Sequence, residues 1–442
     1  MKKVTRWRSL LKRYGAWAVP FVAVGVGAEA INRRPRLKLL LAGAGVCGLV
    51  TLWQTQMPQV LSNGYLPRPQ MTGVPSKPEE SGTYKIVDIG TLGGENANAL
   101  GISNSGAIVG VSEDAQGRVR GFIWKNGRMK DVGTLGGTFS VTLGVNDKDE
   151  SVGVSLLSGD EKIHGFVTQN GKMKDFGCLG LDFSVASGIN NSGIAIGTAL
   201  TQDGDPKAVL WKDGKLKPAV TLKDFPATVG CAINDSGALA IIGFNEGENA
   251  FGFLVQNGKS QLLPSVSKGG SVFTDAINAD SVVGGECFRY VGETFECVAT
   301  LWKKGRPEAL PLLEGYPCTV LDAINAKGDA VGVAYSPTEE DCGEGSRLRL
   351  RFSMLKHSLD TAEDQSIKML NLEDAQYLLS LNKSEIPHAF LYRNGKTVDL
   401  NKVVSNGAGW IFIEATGIND RGDITVIGIK GRQVRAVVLT PQ

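Results

Sequence analysis

The sequence predicts an all-β fold, a β-propeller of about eight four-stranded blades, with seven blades as the alternative. Three observations predict it. A small residue followed by an aliphatic one returns at a near-constant period. Asn-Gly or Asp-Gly dipeptides lie between apolar runs inside each period. The last unit stops one strand short, while an orphan strand precedes the first. A four-stranded meander repeated every 40–50 residues or so is the signature of a propeller blade.

The small–aliphatic pairs are Gly101-Ile102, Gly144-Val145, Gly188-Ile189, Ala232-Ile233, Ala276-Ile277, Ala323-Ile324 and Gly417-Ile418. Their spacings are 43, 44, 44, 44, 47 and 94 residues. Each pair ends a first strand and leads into a polar turn such as Asn104-Ser105-Gly106, Asn191-Ser192-Gly193, Asp235-Ser236-Gly237 or Asp420-Arg421-Gly422. These residue types tolerate positive φ and suit tight hairpins. A second strand carries a recurrent glycine (Gly110, Gly153, Gly197, Gly243, Gly284, Gly332, Gly428). The third is aromatic and aliphatic, and Trp124, Trp211, Trp302 and Tyr392 recur at one position in it, as blade-to-blade packing requires. The turns Asn126-Gly127, Asn170-Gly171, Asp213-Gly214, Asn257-Gly258 and Asn394-Gly395 then lead to a fourth strand.

The 94-residue gap reads as two periods, with Leu370-Asn371 near its middle, which makes eight units with the seventh degenerate. The rival is seven blades with a helical excursion over residues 367–381. The final unit ends at its third strand, Ala436 to Leu439, and Tyr84 to Ile89 resembles a missing fourth strand. Pairing the two would close the ring and remove its exposed edges.

Ahead of the repeats, residues 1–57 read as a signal or membrane-anchor segment, 58–82 as a linker, and 83–442 as the propeller. Two apolar stretches, 15–28 and 39–53, follow or adjoin ten Lys/Arg residues that precede Leu39. That asymmetry keeps the N-terminus cytoplasmic and exports the rest. Ala28-Glu29-Ala30 has a cleavable small-x-small pattern, so both a retained anchor and a cleaved leader stay open. The expected location is therefore periplasm or cell surface. The whole chain has a net charge of +2, but the body without this segment is mildly acidic, which argues against nucleic-acid binding.

The phrases Gly133-Thr134-Leu135-Gly136-Gly137, Gly188-Ile189-Asn190-Asn191-Ser192-Gly193 and His388-Ala389-Phe390-Leu391-Tyr392-Arg393-Asn394-Gly395 resemble the HAF family of extracellular bacterial repeats. The resemblance covers roughly residues 84–442. It implies an exported, propeller-like protein and supplies no catalytic residues. His-Ala-Phe is intact once, and units six and seven are eroded and enlarged.

The repeat accounts for most candidate chemistry. Among three histidines, His164 and His388 hold the same third-strand position and His357 lies in a polar insertion. Neither a metal site nor a histidine triad is expected. The Asn/Asp/Ser turns lack the alternating carboxylates of calcium loops. Thr91 to Gly94 and Thr134 to Gly137 precede no Lys-Ser/Thr helix, so no phosphate cradle is predicted and no cofactor is expected. The body holds six cysteines, which in an exported protein suggests disulfides: Cys287 with Cys297, and Cys318 with Cys342, with Cys178 and Cys231 left open.

The expected function is a binding or scaffold module for a protein or glycan, membrane-associated through the N-terminal segment. Its candidate surface is the set of loops that depart most from the repeat. These are residues 288–296, with Phe288, Arg289 and Tyr290; residues 335–346, with Glu339, Glu340, Asp341 and Glu344; and the insertion 356–368. The alternative is a glycan hydrolase or lyase using channel carboxylates such as Asp275 and Asp322.

Overall fold

A computed structural model describes residues 84–245, 250–291, 294–336, 386–405 and 407–442. They form seven four-stranded antiparallel sheets, so the propeller has seven blades rather than eight. Blade one is β2 (Gly93–Ile102), β3 (Ile108–Asp114), β4 (Val119–Lys125) and β5 (Arg128–Asp131). Blade two is β6 (Gly136–Val145), β7 (Ser151–Leu157), β8 (Ile163–Gln169) and β9 (Lys172–Asp175). Blade three comprises β10 (Ser184–Ile189), β11 (Ala195–Leu200), β12 (Pro206–Lys212) and β13 (Lys215–Pro218). Blade four comprises β14 (Ala227–Ile233), β15 (Leu239–Phe244), β16 (Ala250–Gln256) and β17 (Lys259–Leu263). Blade five holds β18 (Val272–Ile277), β19 (Val283–Val291), β20 (Thr294–Lys303) and β21 (Arg306–Ala309). Blade six holds β22 (Cys318–Ile324), β23 (Ala330–Tyr335), β24 (His388–Arg393) and β25 (Lys396–Asp399). Blade seven is β26 (Trp410–Ile418), β27 (Ile424–Lys430) and β28 (Gln433–Pro441), completed by β1 (Tyr84–Asp88) from the other end of the repeat region.

Blade six explains the miscount. β24, assigned from spacing to a seventh unit, pairs with β23 in register from Ala330↔Tyr392 to Ala334↔His388. The 94-residue gap is therefore one period plus an insertion between second and third strands. Loop-closure entropy grows only with the logarithm of length, so such an insertion is tolerated. Spacing alone cannot separate it from an extra unit. Leu370-Asn371 and the helical alternative over 367–381 lie outside the described residues, as do the anchor 1–57 and linker 58–82. Among the described residues no helix is long and apolar enough to cross a membrane.

Ring closure is as expected. β1 pairs antiparallel with β28 from Tyr84↔Pro441 to Asp88↔Val437. Tyr84 is buried, its backbone N–H donates to the Val403 carbonyl at 3.4 Å, and Arg435 Nε lies 3.0 Å from Asp88 Oδ2.

The strand-three to strand-four turns have positive φ at both central residues, for example Asn126 (50°) and Gly127 (78°). That is the type I′ geometry which matches strand twist. Blade five uses Lys304-Gly305 in the same conformation, a turn its composition conceals. The second-strand glycines are steric: a Cβ at Gly110, Gly153, Gly197 or Gly332 would strike a carbonyl of the inner strand. In blade five this close approach belongs to Gly285, one residue beyond the glycine picked out by spacing. Trp211, Trp302 and Tyr392 are buried, and Trp302 Nε1 donates to the Pro264 carbonyl at 2.8 Å. Trp124 is half-buried against the cluster joining blades seven and one.

Candidate binding face and axial channel

The two ends of the propeller are built differently. At one end lie the turns joining first to second strands. Each begins at the residue after the small–aliphatic pair: Ser103, Asn146, Asn190, Asn234, Asn278, Asn325 and Asn419. The asparagine Oδ1 accepts backbone N–H groups of its own turn, as with Lys148 and Glu150 on Asn146, both at 3.0 Å. Its Nδ2 donates to the carbonyl of the equivalent residue in the next blade. The chain runs Asn146→Asn190 (2.9 Å), Asn190→Asn234 (3.1 Å), Asn234→Asn278 (2.9 Å), Asn278→Asn325 (3.1 Å), Asn325→Asn419 (3.1 Å) and Asn419→Ser103 (3.3 Å). Ser103 breaks the chain, because its Oγ stays within its own turn, 2.9 Å from Ser105 Oγ. One residue on, Asp147, Asp235 and Asp420 alternate with Asn104 and Asn191 in a second belt. Asn191 Nδ2 there lies 3.0 Å from Asp147 Oδ2 and 2.8 Å from Asp235 Oδ2. These residues read as turn formers in the sequence. In the fold they are also the inter-blade fastening, and their carboxylates are engaged in it.

The inner strands carry a second regular feature. Each has a β-bulge at one equivalent residue: Leu100, Leu143, Ser187, Cys231, Asp275, Asp322 and Thr416. Bulges re-aim side chains and are favoured near functional sites. Ser187 Oγ and Thr416 Oγ1 reach the next inner strand, bonding the Gly230 and Ala99 carbonyls at 2.9 Å each. The two acids, Asp275 and Asp322, occupy neighbouring blades rather than a full ring. Glu286 on β19, 0% exposed, belongs to the same blade as Asp275. Cys231 adjoins this group: burial first, then the Asp275 charge, pushes its thiol pKa far upward.

The opposite end carries the second-to-third-strand connections and the crossings between blades. In the first two crossings Thr91 and Thr134 Oγ1 bond the Gly94 and Gly137 carbonyls, both at 2.8 Å. They span from outer to inner strand, as expected. Blade five departs from this pattern. Residues 288–291 and 294–296, read as loop, continue the strands, with Phe288↔Cys297, Arg289↔Glu296 and Tyr290↔Phe295 paired. Alternating β-formers on both sides of residues 292–293 extend the hairpin. Phe288 is consequently core, packed edge-to-face on Phe273 with ring centroids 5.2 Å apart, and not a surface anchor. Blade six emits the insertion from the same kind of connection. Glu339, Glu340, Asp341 and Glu344 lie outside the described residues, as do Cys342 and His357.

The proposed Cys287–Cys297 staple is not made. Cys287 is opposite Val298 and Cys297 opposite Phe288, a register that puts the two thiols on opposite faces of the sheet. Cys297 Sγ instead approaches the Thr319 carbonyl at 3.6 Å, and Cys287, Cys297 and Cys318 share one apolar cluster. No disulfide joins the described cysteines.

His164 and His388 hold matching positions, each with Nδ1 2.9 Å from the carboxylate of Asp175 or Asp399. Burial opposes ionisation of both acids. Their histidine hydrogen bonds and backbone donors outweigh it and hold both below the usual carboxylate range. The two sites then diverge. His388 lies against the Tyr316 ring, centroids 5.2 Å apart. His164 shares a neighbourhood with Cys178 and Asp182, and one potential ligand atom from each lies within 4.8 Å of the others. Sequence spacing concealed this trio, because its members come from a strand and a crossing.

No family model and no curated protein matches the chain. Solved structures similar to it are propellers. The oligogalacturonate lyase of Vibrio parahaemolyticus is 9% identical, over 81% of this chain and 93% of that one, with a TM-score of 0.50. The Aleuria aurantia lectin is 11% identical, over 55% and 88%, with a TM-score of 0.32. TolB of Acinetobacter baumannii is 13% identical with a TM-score of 0.35; the match takes in 48% of this chain and 53% of the TolB chain, about half its length. The likeness shows the fold alone, and that fold hosts both binding and enzymatic proteins.

Proposed function

We propose that this chain is an extracytoplasmic recognition module that holds a protein or glycan on the connection face of blades five and six. The observation that carries this reading is convergence. The lengthened β19–β20 hairpin, the insertion between β23 and β24 and the acidic bulges all fall in two adjacent blades. In the other five blades two to five residues separate the second strand from the third. A rigid scaffold that varies in one sector is how binding propellers concentrate function in loops. The basic, apolar leader and the resemblance to HAF repeats support export and membrane association.

Replacing residues 337–385 by a short turn tests the site. The expected result is a protein with unchanged thermal unfolding that no longer captures its envelope partner, identified beforehand with the full chain. Undiminished capture would discard the reading. Export is checked separately with alkaline phosphatase fused after residue 82, which should be active.

A second reading, glycan hydrolysis or elimination, is favoured by the adjacency of Asp275 and Asp322. Under it, Asp275→Asn and Asp322→Asn would each abolish turnover of an envelope glycan while leaving partner capture intact. Turnover that persisted in both variants would end this alternative.

A further inference from the structure

The crossing from blade two to blade three differs from the one before it in a coordinated way. Between blades one and two, Thr134 Oγ1 bonds the Gly137 carbonyl at 2.8 Å, and Thr138 bonds Asp160 through its N–H (2.8 Å) and Oγ1 (3.0 Å). Forty-four residues later these positions are Cys178 and Asp182, and the third-strand residue equivalent to Arg120 is His164. Three positions change together, each toward a side chain that ligates transition metals.

The geometry follows the chemistry. His164 is 6% exposed, its Nδ1 lies 2.9 Å from both Asp175 oxygens, and its Nε2 is buried with no hydrogen-bond partner. Giving Nδ1–H to Asp175 leaves the free lone pair on Nε2. A carboxylate behind the ring is the arrangement that fixes the tautomer of a metal-binding imidazole. A ring nitrogen of His164, Cys178 Sγ and an Asp182 carboxylate oxygen lie within 4.8 Å of one another.

We propose that His164, Cys178 and Asp182 form a zinc site, with Asp175 as its positioning residue. One imidazole, one thiolate and one carboxylate suit Zn²⁺ rather than Ca²⁺ or Mg²⁺, which want oxygen ligands. Zinc bonds of about 2.0–2.3 Å in a tetrahedron set donors roughly 3.3–3.7 Å apart, so no pair of the trio needs to close by more than about 1.5 Å on binding. Cys178 and Asp182 belong to a crossing, where such a shift is easily absorbed. Three protein donors leave one coordination position for water or a ligand atom. Lys162 Nζ, 3.1 Å from Asp182, is the competitor; both side chains are about half exposed, so this ion pair yields to the metal. Blade six is the internal control: it has the same His–Asp pair, but the crossing after it carries Lys402 where blade two has Cys178, and the Tyr316 ring lies against His388.

The test uses the full-length chain in detergent, stripped with a chelator. Zn²⁺ is titrated against a chromophoric chelator, and Co²⁺ is titrated separately to follow the thiolate-to-metal charge-transfer band. One equivalent per chain and a clear band are expected. Cys178→Ser should remove the band and Asp182→Asn should weaken zinc binding. Asp175→Asn should weaken it about 10–100-fold while the band persists. Lys162→Met should tighten it, and His388→Asn should leave it unchanged. Thermal melts confirm that each variant is folded. No equimolar site in the wild type, or zinc binding that survives both Cys178→Ser and Asp182→Asn, overturns the proposal.

Discussion

Asn325 Nδ2 donates to the Asn419 carbonyl at 3.1 Å across 94 residues of sequence. The five other links of the same type close over 44, 47 or 316 residues. The long step and the short ones are therefore one structural operation, a move to the next blade, and the extra residues leave the ring geometry untouched. Removing such a link takes one of two donors from the next blade's carbonyl, as Asn234 O keeps the Gly237 N–H. It also strands the turn N–H groups that Oδ1 accepts, those of Ser192 and Ile194 at Asn190. Asn190→Ala should destabilise the fold by about 1–3 kcal/mol, read from urea unfolding. Ser103→Asn addresses the one break in the chain. Its carboxamide can reach the Asn146 carbonyl, and a gain of about 0.5–1.5 kcal/mol is expected. A loss would show that blade one cannot accept the asparagine.

What the sequence made legible follows from locality. Turn dipeptides, strand glycines and the small–aliphatic pairs act within a blade and were legible in most blades; blade five, with Lys304-Gly305 at its turn and Gly285 at the close approach, was the exception. Closure by Tyr84 to Asp88 was legible because a missing strand and a spare one could be counted. The asparagine ring was not, since its residues are also ordinary turn formers. Their second bond points to another blade. The Cys287–Cys297 pairing failed for a finer reason: a one-residue change of register moves a side chain to the other face, and composition does not fix register. The His164 trio was hidden because its members lie on a strand and a crossing, with nothing in their spacing to mark them.

Closure should carry a large share of stability. Tyr84 is buried in the cluster of blades six and seven, and its strand covers the free edge of β28. Tyr84→Ala is expected to cost about 3–5 kcal/mol, as large aromatic truncations in cores do. Deleting residues 84–88 should go further and produce concentration-dependent association through the exposed edge, seen by light scattering. A monomeric, equally stable deletion variant would contradict the closure role.

Thiol reactivity should follow burial. Cys178 is half-exposed, whereas burial pushes the thiols of Cys231 and Cys287 upward in pKa and out of reach of solvent. Alkylation of the folded, chelator-stripped protein at pH 8, mapped by mass spectrometry, should label Cys178 first. Cys231, Cys287 and Cys297 should react after unfolding, with or without reductant. Protection of Cys287 and Cys297 that is lost only on reduction would revive the staple.

The Asp399 carboxylate offers a pH signature. Burial raises its pKa, but the His388 hydrogen bond and charge and the Asn401 donors outweigh that and leave it depressed. A carboxyl with a lowered folded-state pKa binds fewer protons folded than unfolded. Its stabilisation is therefore complete above the unfolded value of about 3.9 and drains away as pH falls through the depressed one. Asp399→Asn keeps an oxygen for the Asn401 N–H and removes the charge. It should lower stability at neutral pH and flatten the fall below about pH 4. Asp175 is depressed by the same balance through His164, so Asp175→Asn should flatten the same limb. Acid unfolding of the two single variants and the double variant decides the matter. Curves as steep as the wild type would mean that these pairs do not shape the acid limb.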